Sequence, residues 1–137
     1  MTRQLTCIVG MPRSGKTTLA AKLAADSGAT VIHSDDYLHL PWRVIPGALL
    51  RALSGAKGDV ILEGIHVARL LGKPPLRGAS VILCHSTPAL VRQYRSLSWV
   101  LDKVGEYATR HAVRQYDYRK ESSHEGIPGS TRQAEAT

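Results

Sequence analysis

The stretch Gly10-Met11-Pro12-Arg13-Ser14-Gly15-Lys16-Thr17 constrains this chain more than any other. It satisfies G-x-x-x-x-G-K-[ST] at every fixed position, and its flanks suit the mechanism behind that pattern. Leu5-Thr6-Cys7-Ile8-Val9, just before it, is an apolar, β-branched run that reads as a buried strand. Lys16 to Ala25, just after it, is dense in strong helix formers, with Leu19 and Leu23 on one face and Gly28 at the stop. Glycines in such a turn let the main chain curl with its N–H groups pointing inward. The result is a nest for phosphate oxygens, reinforced by the positive end of the helix dipole.

The rest of the chain repeats the same alternation. Thr30-Val31-Ile32-His33, Asp59 to Glu63 and Ser80 to Cys84 read as further short strands. Ala48 to Leu53 reads as a helix, and His66 to Leu71 as a short one stopped by Gly72 and the Pro74-Pro75 pair. Thr87-Pro88 opens a longer helical pattern, with threonine as N-cap and proline in the first turn, running to about Tyr118 with a break near Gly105. Strands of about five residues, apolar on both faces and alternating with helices, predict a parallel sheet covered by helices on both sides. The expected class is a three-layer α/β fold, as a single domain over residues 1–120. Beyond Lys120 the composition turns to Ser, Gly, Glu, Thr and Pro, which predicts a mobile tail over 121–137.

Composition narrows the alternatives. No apolar run approaches the roughly 20 residues that a membrane helix needs. The first residues lack the order of a signal peptide, so a cytoplasmic location is expected. Cys7 and Cys84 sit in separate apolar runs, outside any metal-ligand spacing, and read as buried free thiols. The net charge of +7 favours a polyanionic substrate without choosing between a nucleotide, a phosphorylated metabolite and a nucleic-acid end.

With Lys16 placed to reach β- and γ-phosphates and the Thr17 hydroxyl to ligate magnesium, the expected ligand is ATP with Mg2+. Its contacts would be Gly10, Arg13, Ser14, Gly15, Lys16, Thr17 and Thr18. The phosphate loop, the Ser34-Asp35-Asp36-Tyr37 segment and Ile61-Leu62-Glu63-Gly64 together resemble the P-loop nucleoside and small-molecule kinases. The likeness is greatest to the uridine kinase and phosphoribulokinase branch, with a similar layout in polynucleotide 5′-hydroxyl kinases and zeta-toxin-like kinases. It covers roughly residues 4 to 100.

The resemblance implies an ATP-dependent transfer of the γ-phosphate to a hydroxyl of a small acceptor such as a nucleoside. It implies Asp35 as the base, with Asp36 a magnesium organiser and the second choice of base. Glu63 would hold a magnesium-bound water or the substrate. Arg92 and Arg95, three apart on one expected helix face, would be lid cations. Tyr37 and Arg43 fall on the acceptor side, near Trp42. Ordinary turn capping by Ser34-Asp35-Asp36 and a solvated basic helix face are the competing structural readings. His66 is given no role and Arg69 a weak one.

The chain departs from this family pattern in being short and in showing no clear fifth strand, which leaves the adenine site unassigned. Two other functions remain open from sequence. A 5′-hydroxyl polynucleotide kinase would use the basic charge, with Trp42 and Tyr37 stacking on a terminal base. A nucleotide-binding ATPase module would need no acceptor, but neither a strand ending in a water-activating aspartate nor an N-K-x-D is present.

Overall fold

In the computed structural model, which describes residues 3–123, five strands form one parallel sheet. They are β1 (Leu5–Val9), β2 (Thr30–His33), β3 (Val60–Glu63), β4 (Ser80–Cys84) and β5 (Arg114–Tyr116), in spatial order β2-β3-β1-β4-β5. The helices are α1 (Lys16–Ser27), α2 (Ile45–Gly55), α3 (Pro88–Gln93), α4 (Trp99–Ala108) and α5 (Tyr118–Ser123). Short 3-10 turns at Ser34–Tyr37, Trp42–Val44, Ile65–Leu70, Pro74–Leu76 and Arg95–Leu97 complete the connections.

The strand residues sort by parity, as a pleated sheet demands. Cys7, Val9, Val60, Leu62 and Val81 face a core built with α2, the Ile65–Leu70 turn and α4. Ile8, Ile61, Ile82 and Cys84 face the opposite core, with Leu19 and Ala20 of α1 and Tyr116 of β5. Both faces are thus covered, which is why the strands read as continuous apolar runs. Leu49 and Leu53 of α2 are nearly solvent-free, and each such leucine contributes about 2 kcal/mol. Among the described residues no helix is long and apolar enough to cross a membrane.

Three expectations need correction. A fifth strand exists: β5 pairs in parallel with β4, Ile82 opposite Arg114 and Cys84 opposite Tyr116. It lies inside the stretch expected to be helical, and Tyr116 is its one buried residue. Second, the long helix from Pro88 is three pieces. The α3 helix stops at Gln93, where Tyr94 leaves the helical region at φ −112°, ψ 42°, whereas Gly105 sits uninterrupted inside α4. Arg92 and Arg95 therefore share no helix face, since Arg95 opens the next 3-10 turn. Third, α5 runs past residue 120 to Ser123. The remainder of the expected tail lies outside the described residues.

Candidate active site

A cleft of about 650 Å3 opens at the carboxyl ends of the strands, where a parallel sheet with helical crossovers leaves room for ligands. Its floor is the loop between β1 and α1, contributing Pro12, Arg13 and Gly15, together with Lys16, Thr17 and Thr18 of the first turn of α1. Gly15 occupies the left-handed region at φ 93°, directly before α1, so that the chain turns sharply from loop into helix. Arg13 is also left-handed, at φ 65°. The Ser14 hydroxyl is buried and has no hydrogen-bond partner among the described residues. A desolvated, unpaired hydroxyl in a loop of this form fits an oxygen-rich anion, and the loop passes the test that a nucleotide phosphate sets for it.

Lys16 lies almost wholly below the surface, its Nζ donating to Met11 O at 2.8 Å. Burial lowers its pKa, while the charges of Glu63 and Asp35 pull it back up. The cation is desolvated and, among the described residues, has no carboxylate within ion-pairing distance, which leaves it available to a phosphate.

The far wall comes from the ends of β2 and β3. His33 and Glu63 are opposite each other in the strand register, and His33 Nδ1 donates to Glu63 Oε2 at 2.5 Å. The same carboxylate oxygen accepts from Thr17 Oγ1 at 3.3 Å. Glu63 is thereby held from two sides, by β2 and by the first turn of α1. Gly64, at φ 132°, brings β3 so close to β2 that any Cβ would collide with Ser34 Oγ. The close approach places Asp35, in the turn after Ser34, on the same cleft as Lys16 and Glu63.

Thr17 and Glu63 offer the hard oxygens that magnesium takes, and a magnesium ion that keeps most of its waters needs few protein ligands. No group of three His, Cys, Asp or Glu side chains forms a self-sufficient metal site among the described residues. The donor set therefore suits a metal carried in with the nucleotide.

The remaining expected site residues are placed elsewhere. Asp36 is exposed and does not line the cleft. Tyr37 packs against the core, and Arg43 is exposed in the Trp42–Val44 turn. Arg92 and Arg95 are exposed and also lie outside the cleft lining; the nearby contributor is instead Leu97.

Several cleft residues carry no local sequence signal. Leu38, Ile65 and Leu97 line its apolar side. Tyr118, at the start of α5, lines it beside Gly15 and also borders a small hollow with Arg13, Ser14, His85 and Thr87. Close by, Trp42 stacks edge-on against His66 and Trp99, with ring centroids 4.9 and 5.2 Å apart. The Arg69 guanidinium lies 4.1 Å from the Trp42 ring centroid and donates to Trp42 O at 2.7 Å. His66 is buried, and its pKa is lowered by burial and by Arg69, so its imidazole is neutral and Nδ1 accepts from Arg69 at 3.3 Å.

No protein-family model matches the chain. It is 30% identical over 114 residues to the shikimate kinase of Corynebacterium efficiens, covering 82% of this chain. The match spans 66% of that protein, just under two thirds of its length. A shikimate kinase from Acinetobacter baumannii, solved with shikimate, superposes with a TM-score of 0.58 at 18% identity, covering 85% of this chain and 84% of that one. A gluconokinase from Sinorhizobium meliloti 1021 gives 0.53 at 16% identity, covering 98% and 94%. A sugar kinase from Janibacter gives 0.57 at 16%, covering 98% and 95%. None of these named neighbours carries the finer likeness to uridine or polynucleotide kinases. With the strand order, the phosphate loop and these superpositions in agreement, the chain has the shikimate kinase-like form of the P-loop kinase fold.

Proposed function

We propose that the chain is an ATP-dependent kinase that moves the γ-phosphate to a hydroxyl of a small hydroxylated metabolite. The observation that carries this reading is that Lys16 and Asp35 line one cleft, where the charge of Asp35 acts on Lys16. The names of the similar proteins (shikimate kinase, gluconokinase, sugar kinase) favour a small hydroxylated acceptor over the nucleoside implied by the uridine kinase resemblance.

Loop amides and Ser14 hold the phosphates, and Lys16 neutralises charge on the transferred group. The acceptor hydroxyl lies against Asp35, which takes its proton as the oxygen bonds to the γ-phosphorus. The bond from that phosphorus to the bridging oxygen breaks, and its electrons leave on ADP. Magnesium, when bound with the nucleotide at Thr17 and Glu63, supplies further positive charge along the phosphates. Leu38, Ile65 and Leu97 give the cleft an apolar side against which a bound acceptor displaces water as a competitor. Tyr118, which borders both the cleft and the small hollow beside the phosphate loop, is our candidate contact for the nucleotide base.

The test is transfer from γ-labelled ATP to a panel of hydroxy acids, sugars and nucleosides. The reading expects a labelled hydroxylated metabolite, with the label lost in Asp35→Asn while nucleotide binding persists. ATP hydrolysis without any acceptor, undiminished in that variant, would overturn it.

A further inference from the structure

We propose that a second pocket, away from the phosphate loop, binds a small dianion of the phosphate-monoester type and is linked to the acceptor side through Arg69. The pocket measures about 470 Å3 and lies between the end of the Ile65–Leu70 turn and the C-terminal end of α4. That is room for a metabolite-sized ligand. It shares no lining residue with the cleft over the phosphate loop.

Its charge is one-sided. Arg69, Lys103 and Arg110 line it against a single carboxylate, Glu106, and among the described residues none of the three cations is within ion-pairing distance of a carboxylate. Burial lowers the Arg69 pKa with no acid to oppose it. Three cations against one carboxylate match a phosphate monoester, which carries about −1.5 to −2 near neutral pH. Guanidinium forks suit its oxygens. Tyr107 and His111 stack with ring centroids 4.3 Å apart, giving one flat wall.

Cations at a helix C-terminus often serve only to complement its dipole. Here that task is largely done by the chain itself. Glu106 O accepts from the Thr109 N–H and, at 2.7 Å, from its hydroxyl. Tyr107 O accepts from the N–H groups of Arg110 and His111. Among the described residues, the side chains of Lys103 and Arg110 have no hydrogen-bond or ion-pair partner, which leaves them for a ligand.

The link follows from how Arg69 is held. One of its nitrogens serves Trp42 O and His66 Nδ1, while the residue also lines the pocket. An anion drawn to its open edge shifts the guanidinium against the Trp42 ring. Trp42 and His66 adjoin the turn that carries Asp35, whose charge acts on His66. Binding at the second pocket stands apart from the kinase reading; the effect on the acceptor side rests on it.

The experiment titrates the full chain with glycerol 3-phosphate while a non-hydrolysable ATP analogue and magnesium saturate the phosphate loop. Tryptophan fluorescence is the readout, because Trp42 and Trp99 are the two tryptophans of the chain. Amide shifts of Tyr107 to His111 are the second readout. The expected result is saturable binding at about 1 mM or tighter, weakened about tenfold or more in Lys103→Ala/Arg110→Ala. Glycerol should give no signal, and succinate a weaker one. The proposal fails if the double variant binds like the parent, if neither readout saturates, or if succinate binds more tightly than the phosphate ester. A failure of the ATP analogue to bind would count against the kinase reading alone, since the double variant still isolates the second pocket.

Discussion

The ring of Tyr118 lies against the main chain of Gly15, so close that a Cβ on Gly15 would meet Tyr118 Cβ at 2.8 Å and Cγ at 2.9 Å. The start of α5 thus presses on the residue that turns the phosphate loop into α1. Gly15→Ala incurs two separate costs: a left-handed backbone of about 1–2 kcal/mol for a non-glycine residue, and the collision with Tyr118. Nucleotide affinity measured by calorimetry should fall about tenfold or more in Gly15→Ala. Adding Tyr118→Gly should recover part of the loss, because it removes the colliding Cβ and ring but not the backbone strain.

Lys16→Met separates binding from folding. Turnover should fall about 10²- to 10³-fold, the scale of losing one preorganised electrostatic donor. The melting temperature without nucleotide should not fall, because the substitution removes a desolvated cation whose charged form burial disfavours. Single-turnover kinetics and a thermal melt check the two halves independently.

The two neighbouring aspartates should behave differently. Asp35 lines the cleft and Asp36 does not. Asp35→Asn should lower phosphoryl transfer by about 10²- to 10⁴-fold while ATP still binds. Asp36→Asn should leave transfer within about twofold, as expected of an exposed residue outside the site. Steady-state assays of both variants decide whether the turn carries one functional carboxylate or two.

Gly64→Ala forces β2 and β3 apart, since its Cβ has no space beside Ser34 Oγ. The melting temperature should drop by about 5 °C or more, the response to a loss of one to two kcal/mol in a domain of this size. Ser34→Gly in the same chain should restore some of it by removing the obstructing side chain.

Alkaline stability follows from the two thiols. Burial pushes both Cys7 and Cys84 up to about 12 from an ordinary 9.0. Between those values the unfolded chain gives up thiol protons that the folded chain keeps, so stability falls as pH rises through the interval. Lys16 opposes this: its folded pKa lies below the ordinary 10.5, so its contribution rises with pH through its own window. Two thiols against one amine predict a net loss. Urea midpoints should be lower at about pH 10 than at about pH 8, and Ellman's reagent should reach the thiols only after unfolding.

What the sequence revealed was what is local. The phosphate loop could be read because strand, turn and helix are consecutive, and each has its own residue signature. The strand Arg114–Tyr116 could not: it is three residues long at the sheet edge, with only Tyr116 buried, and its identity depends on pairing with β4. The spacing of Arg92 and Arg95 was misleading because a helix was assumed to continue through Tyr94. His33 had no signal at all, since its partner Glu63 is 30 residues away and meets it only through strand register. The apolar wall of Leu38, Ile65 and Leu97 is likewise assembled from three separate connections.

The central position of β1 in the sheet has a consequence for change over time. Segments following β2 and β3 fall on one flank of the phosphate loop, and those following β4 and β5 on the other. The phosphate loop and the connection after β2 therefore come from separate stretches of chain. A lineage could exchange the connection between Tyr37 and Gly47 for another and reshape that flank of the cleft, with the phosphate loop left untouched.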